Sequence, residues 1–296
     1  MRGTVCAVIV TYNRKHLLKE CLEAVLSQTR SPDHILVVDN ASTDGTMEML
    51  RNDFPQVEVL HLKNNLGGAG GFYEGMKRAY AMGFEWLWLM DDDGCPAHNC
   101  LQVLLNSKPE WSFKGCLVLS KEYDGHTAFS YPLPNNSVTK ITRDLNLIKS
   151  KWHNGWIKDY IAPFNGCLLH RKVIDDIGFP IKEFFIWGDE VEYFLRAKSY
   201  GIQLGTIMDA IFYHPIERKK KFKKIGMGKL LMHLPYTEDD NRLYLIIRNQ
   251  LYVLWRYESP LKAIIKTGMY AFVIPEKMHI LKKAVIDCVK LLRNRK

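Results

Sequence analysis

An α/β fold is predicted for this chain: a Rossmann-like, mostly parallel sheet flanked by helices, with a basic helical region behind it. Three observations predict it. Short β-branched runs alternate with helical patterns from the amino terminus onward, the arrangement of parallel strands joined by right-handed crossovers. Those runs are apolar at successive positions, as expected of strands covered on both faces. The charge is also divided: residues 217–296 hold 19 Lys and Arg against 7 Asp and Glu, or +12, so residues 1–216 carry −3 of the overall +9.

The elements follow in order. Val5 to Tyr12 (VCAVIVTY) is a strand, and Asn13 offers an N-cap for a helix with Leu17, Leu18, Cys21, Leu22, Val25 and Leu26 on one face. Ile35 to Asp39 repeats the buried-strand signal, a short helix is expected from about Met47, and Val57 to Leu62 gives a third strand. Residues 64–75 read NNLGGAGGFYEG, a helix is expected over Met76 to Met82, and Phe84 to Met90 (FEWLWLM) is a fourth strand that ends in Asp91, Asp92, Asp93 and Gly94. Residues 120–160 are weakly periodic and suggest irregular connections with a short hairpin. Ile161 to Arg171 looks strand-like, Asp189 to Tyr200 is a helix closed by Gly201, and Asp209 to His214 makes a final short strand.

Beyond His214 the character changes. Arg218 to Lys229 holds seven basic residues, and helical patterns follow at 241–257 and 261–292. In the last, Leu281, Ala284, Val285, Cys288 and Leu292 share one stripe. Such helices lie on a membrane surface, pack on their own domain or make an oligomer contact; the basic balance alone also admits nucleic acid. We therefore divide the chain into a domain over 1–216 and a basic helical region over 217–296.

At 296 residues and 47% apolar content the chain can bury a large core, which excludes disorder, collagen and a small disulfide scaffold. Seven scattered cysteines without a CxxC pair suggest buried free thiols in a reducing compartment and no structural zinc. No secretory signal is read at the amino terminus, and no uncharged apolar run reaches the roughly 18 residues of a spanning helix. A cytosolic protein is expected.

Several constellations carry chemistry. Asp91, Asp92 and Asp93 sit where open α/β sheets bind ligands, at the carboxyl end of a strand. Clustered oxygens there suit a hard divalent ion such as Mg²⁺ or Mn²⁺ that also grips a diphosphate, although a solvated acidic loop has the same composition. His214 ends a later strand and would complete an Asp, Asp, His set by folding back; a core histidine is the plainer alternative. Asp189, Glu190 and Glu192 open a helix, where the dipole favours acids, and one of them could instead take a proton from a substrate hydroxyl. Gly67, Gly68, Gly70 and Gly71 match neither a Walker loop nor a dinucleotide fingerprint, but allow close approach of backbone to a ligand or a tight helix entry. No nucleophile elbow is present.

Taken together, VIVTYNR (8–14), VVDNASTDGT (37–46), LMDDDG (89–94), FNGCLLHR (164–171), FFIWGDEVEYFLRA (184–197) and the late His214 resemble the family 2 glycosyltransferases of GT-A fold. NNLGGAGGF looks like the bacterial galactofuranosyltransferases; rhamnosyltransferases more often show a shorter Gly-Tyr or Gly-Phe version. The resemblance implies that Thr11, Tyr12 and Arg14 line the nucleotide pocket, that Asp39 contacts the uridine, and that Gly67 to Gly71 pass close to the donor. It implies Asp91, Asp93 and His214 as ligands of Mn²⁺ or Mg²⁺, with Asp92 facing the nucleotide sugar or ribose. Aligning the acidic segment selects Glu190 as the base, and reading from the tryptophan selects Asp189. The family usually has Asp there, so Glu190 needs a backbone set back by about one methylene.

The implied chemistry is one inverting displacement by an acceptor hydroxyl on UDP-galactofuranose, with dTDP-rhamnose as the alternative donor. A silent nucleotide-sugar-binding scaffold on a membrane is the non-enzyme alternative. Trp152, His153, Trp156 and Trp187 could stack on acceptor sugars, with an aromatic core as the equal alternative for the first three. The resemblance further implies a glycan acceptor on polyprenyl diphosphate in bacterial polysaccharide or O-antigen synthesis. It would be met by an enzyme held at the inner face of the membrane by its basic tail, without nucleic acid.

Overall fold

The unbroken apolar run at the amino terminus forms β1 (Val5–Thr11), which sends Val5, Ala7 and Ile9 into one core and Cys6, Val8 and Val10 into another. A strand covered on both faces has no reason to alternate. The computed structural model describes residues 3–134, 141–162, 164–216, 221–227 and 230–294. After β1 come α1 (Lys15–Leu26), β2 (His34–Asp39), α2 (Thr46–Asp53), β3 (Glu58–His61), α3 (Gly67–Ala81) and β4 (Trp86–Asp91). Next are β5 (Cys95–Pro96), α4 (Cys100–Asn106), β6 (Phe113–Ser120), β7 (His126–Pro132), β8 (Ile141–Asp144), α5 (Leu145–Lys151) and β9 (Trp156–Lys158). The body closes with β10 (Asn165–His170), α6 (Arg171–Ile177), α7 (Asp189–Ser199) and β11 (Leu204–His214).

The central sheet runs in the order β3, β2, β1, β4, β10, β6, β11, β5. Its first four strands are parallel, as expected, but β10 is antiparallel to both β4 and β6, so the sheet is mixed. Register decides what meets at the carboxyl edge: Thr11 lies opposite Asp39, Val10 opposite Asp91, and His214 opposite Ser120. The core on one face is covered by α1 and α4, the other by α3, α6 and α7.

Three local expectations are corrected, and a fourth, the short hairpin within 120–160, is met. The glycine run is not a loop before a helix at Met76; it is the first turn of α3 itself. A Cβ on Gly71 would come within 2.5 Å of Val10 Cγ1, and one on Gly75 equally close to Val8 Cγ1, so glycine lets α3 lie directly on β1. Asn13 does not cap α1; it sits at φ +53° and accepts from Thr43 N at 2.7 Å, while Asp44 accepts from Lys15 N at 2.9 Å. The last strand begins at Leu204, five residues early, with a register irregularity between Ile207 and Ile211. The weakly periodic 120–160 segment contains the β7–β8 pair, α5 and β9.

The carboxyl-terminal region comprises an antiparallel ribbon, β12 (Lys221–Met227) and β13 (Leu230–Tyr236), then α8 (Asp240–Val253), a π turn over Leu254–Glu258, α9 (Pro260–Val273) and α10 (Met278–Arg293). The pattern expected as one helix over 261–292 breaks at Pro275, which lacks the N–H a continuing helix needs. The α10 stripe is not free: Leu281, Ala284 and Cys288 are buried in a core shared with Leu243, Ile247 and Leu251 of α8. That core also takes Ala69 of α3, Ile181 and Phe184, so apolar packing crosses the boundary expected at 216/217. The side chains of the basic run 218–229 lie outside the described residues. Among the described residues no helix is long and apolar enough to cross a membrane. All seven cysteines are free.

Candidate active site

Because β1, β2 and β4 are parallel and in register, their carboxyl ends deliver Thr11, Asp39 and Asp91 to one edge, and the turn after β4 adds Asp92 and Asp93. Thr11 Oγ1 donates to Asp92 Oδ2 at 2.6 Å. Arg14 Nη1 bridges Asp92 Oδ1 at 3.1 Å and Asp93 Oδ2 at 2.9 Å. His214 Nε2 stands 3.0 Å from Asp93 Oδ1, so residues more than a hundred positions apart meet as expected. Lys121, which the sequence did not single out, donates to the Asp93 carbonyl at 3.0 Å.

The electrostatics differ across the triplet. Burial lifts Asp91 well above the ordinary carboxylate range, and the charges of Asp93 and Asp92 add to it. Burial also pushes Asp92 up to about 6, against the pull of Thr11 and Arg14. For Asp93 burial acts the same way but loses to His214 and then Arg14, which hold it below its usual value. Burial would lower His214, yet Asp93 outweighs it and raises the imidazole.

The expected metal set is tested by two atoms. Asp93 Oδ1 is buried with no hydrogen bond of proper direction despite its 3.0 Å approach to His214. The other imidazole nitrogen, Nδ1, lies 2.6 Å from the Pro215 carbonyl, the contact that fixes an N–H there and leaves the Nε2 lone pair for a cation. Both atoms fit a divalent ion. Among the described residues, however, no three His, Cys, Asp or Glu side chains form a complete metal-binding group; Asp93 and His214 are in contact and Asp91 is their electrostatic neighbour.

Asp39, expected at the uridine, is fully buried and spends Oδ1 on Ser42 N at 3.0 Å and Oδ2 on His61 Nδ1 at 2.8 Å. Tyr12 is exposed at the mouth, 44% accessible. Of the four glycines, Gly68 alone faces open space; side chains on Gly67, Gly70 and Gly71 would strike Phe185, Leu66 and Val10.

The second half of the site is the turn before α7. Phe185, Trp187 and Gly188 have φ of +65°, +63° and +91°, and the turn delivers Asp189 and Glu190. Asp189 is buried; burial raises its carboxyl well above the ordinary range, and Glu190 and Asp91 raise it further. Asp91 is thus an electrostatic neighbour of both Asp189 and Glu190. Glu190 is half-buried and accepts from Gly188 N at 3.1 Å. Glu192 belongs to the frame instead, held by Arg196 at 2.8 Å and the Tyr257 hydroxyl at 2.5 Å.

The aromatic candidates separate. Trp187 sits on the turn itself, half-buried beside the carboxylates. Trp152 Nε1 donates to the Pro132 carbonyl at 2.9 Å and the ring packs on the core, and His153 is exposed. Trp156 lies opposite Ile207 near the start of β11, under Lys108 at 3.2 Å, and lines a cavity of about 560 Å³ with Trp111 rather than the triplet.

Sequence reasoning missed Arg248 and Asn249 of α8, whose side chains reach the carbonyls of the turn. Their signal was present as a polar pair directly after Ile247 on a stripe that buries Leu243, Ile247 and Leu251.

A sheet edge with this acidic corner, opposed by a second pair of carboxylates, defines a GT-A nucleotide-sugar transferase. The chain belongs to glycosyl transferase family 2, whose model matches residues 6–178. It is 35% identical to galactofuranosyltransferase GlfT1 of Mycolicibacterium smegmatis over 252 residues, 84% of this chain and 82% of that one. With GlfT1 of Mycobacterium tuberculosis it shares 34% over 257 residues, 86% and 83% of the two chains. In fold it is similar to S. aureus TarS, with a TM-score of 0.55 at 13% identity over 92% of this chain but only 43% of that one. TarS 1-349 in complex with UDP gives 0.54 at 15% identity, covering 92% and 70%.

Proposed function

We propose that this enzyme is an inverting, metal-dependent galactofuranosyltransferase that moves galactofuranose from UDP-galactofuranose to a hydroxyl of a glycan acceptor. The observation that carries the proposal is the convergence of Thr11, Asp91 to Asp93 and His214 with Asp189 and Glu190 at one sheet edge. Similarity to GlfT1 over most of both chains supports the galactofuranose donor, and the UDP complex of TarS supports a uridine nucleotide.

Mn²⁺ or Mg²⁺ held by Asp93, His214 and Asp91 would supply positive charge for the diphosphate leaving group. Arg14 adds a cation on the same side, and Asp92, ordered by Thr11, faces the nucleotide sugar. Glu190 takes the acceptor proton as that oxygen attacks the anomeric carbon. Asp189, whose carboxyl burial raises well above the ordinary range, is the less available partner, and the half-buried Glu190 is the open one. Trp187 and Gly68 border the donor and acceptor space.

The acceptor is proposed to be carried on polyprenyl diphosphate, in bacterial polysaccharide synthesis, at the inner face of the membrane. The support is α9, which buries Ala263 and Tyr270 on its own domain but turns Leu261, Ile264, Ile265 and Phe272 outward, the last 77% exposed. Ten Lys and Arg against three Asp and Glu over residues 254–296 complement an anionic surface.

Purified enzyme should release UDP from UDP-galactofuranose and lose that activity in EDTA; turnover of dTDP-rhamnose alone would defeat the donor assignment. Phosphatidylglycerol vesicles should bind the wild type at low salt and release it at high salt. Replacing Ile265 and Phe272 with Ser should weaken binding about tenfold or more. A loss of dimer, with vesicle binding unchanged, would mean that a second copy covers α9.

A further inference from the structure

The carbonyls of Glu183 to Trp187, in the turn before the proposed base, each accept a hydrogen bond from α8 or α3. Asn249, 1% exposed on α8, directs Nδ2 at the carbonyls of Phe184 at 3.0 Å, Ile186 at 3.0 Å and Trp187 at 2.8 Å. Arg248 Nη2 donates to the Glu183 carbonyl at 2.6 Å and to that of Phe184 at 3.1 Å, while its Nε donates to Asn249 Oδ1 at 2.9 Å and so orients the amide. The remaining carbonyl, Phe185, accepts from Ala69 N of α3 at 3.1 Å, at the place where Gly67 has no room for a side chain.

The turn needs this. Phe185 and Trp187 occupy left-handed backbone that L residues adopt at a cost of about 1–3 kcal/mol each, and such conformations persist only where the surroundings over-determine them. The Phe184 carbonyl is buried with its partners, and those of Ile186 and Trp187 are partly buried, so losing the amide donor leaves polar groups that water only partly reaches. One residue further on, Gly188 N is bonded to Glu190, so displacement of the turn moves the carboxylates directly.

We propose that Asn249, oriented by Arg248, is a positioning residue for glycosyl transfer: it sets the amino end of α7, and with it the base, against the donor-side helix α3. This rests on the assignment of the base to the Asp189–Glu190 pair. The helical region behind the sheet is then part of the catalytic architecture as well as a docking element. Asn249 touches no reacting atom, so its effect should fall on turnover rather than on nucleotide affinity, because a displacement near 1 Å costs rate far more than binding.

The test uses the full chain, UDP-galactofuranose and a soluble galactoside acceptor. Asn249→Ala and the isosteric, donor-free Asn249→Asp should each lower kcat by about tenfold or more. UDP affinity by calorimetry and donor KM should stay within about twofold, while Asn249→Gln, which keeps the amide, should recover part of the loss. A folded Asn249→Ala enzyme with kcat within twofold of wild type overturns the proposal, as does an equal loss of kcat and UDP affinity. Should Asn249→Ala not fold, Arg248→Lys, which keeps the charge but frees the amide, must show the same split or the proposal fails. If Glu190→Gln and Asp189→Asn both transfer normally, the base assignment fails and the proposal with it. If they abolish transfer while Asn249→Ala does not slow it, positioning alone is refuted.

Discussion

The triple-aspartate corner and the turn before α7 use the same side chains in opposite ways. At the corner, neighbours answer burial at Asp93, which His214 and Arg14 hold below its usual value, while Asp92 is pushed up to about 6 and Asp91 is raised well above the ordinary range. At the turn, burial raises the Asp189 carboxyl well above the ordinary range, and its neighbours Glu190 and Asp91 raise it further, with no cation among those causes. A carboxylate answered by cations stays ionised and available to hold a metal ion; one that is not is driven toward its protonated form, the tuning that acid–base work requires. The two regions also differ in construction. Parallel strand ends align the corner, whereas the turn is held in unfavourable backbone by α3 on one side and α8 on the other.

The largest effects should separate these roles. Glu190→Gln should lower kcat by about 10²–10⁴ with UDP affinity nearly unchanged, whereas Asp93→Asn should lose Mn²⁺-dependent UDP binding as well as transfer. Calorimetry beside an acceptor assay distinguishes them; equal loss of affinity in both variants would break the comparison. Next, Glu192→Ala should destabilise the fold by about 1–3 kcal/mol in denaturant titration, since it removes the buried acceptor shared by Arg196 and the Tyr257 hydroxyl while Arg196 keeps the Ile177 and Phe179 carbonyls. A smaller loss would show that α7 is not fixed through Glu192. Arg14→Ala should weaken UDP binding about tenfold, the worth of one charge-assisted contact, with little change in the protein's melting temperature.

The smallest effect concerns pH. Asp92 titrates at about 6 in the folded protein, above its ordinary value of 3.8, so the folded state binds the extra proton between those values. Stability of the metal-free protein should therefore fall as pH rises from 4 to 6 through this group, by order of 1 kcal/mol. Asp92→Asn should flatten that fall relative to wild type; an unchanged pH profile would place the Asp92 carboxyl in an ordinary, solvated state.

Much of the corner was legible. Strand-end acids, the TYNR segment and His214 are local features; parallel register aligns the first two, while the antiparallel pairing of β5 with β11, just past the acids, brings in His214. The turn was legible only in part, because its acids sit at a helix start whether or not they act, and the Glu190 or Asp189 alternatives both enter the site. The glycine run admitted two readings, backbone approach to a ligand and a tight helix entry; the structure shows the second, with Gly71 and Gly75 fitted against β1. The α10 stripe was open in the same way, since amphipathicity marks a face to be covered without saying by what.

By itself the sequence determined the strand and helix alternation, the acidic edge and the division of charge, because each is written in neighbouring residues and their period. Tertiary structure alone decided that β10 runs antiparallel, that α9 rather than α10 exposes its apolar face, and that a polar pair some 62 to 65 positions away holds the turn. Those depend on which surfaces find one another once conformational entropy has been spent, and no local pattern encodes that choice.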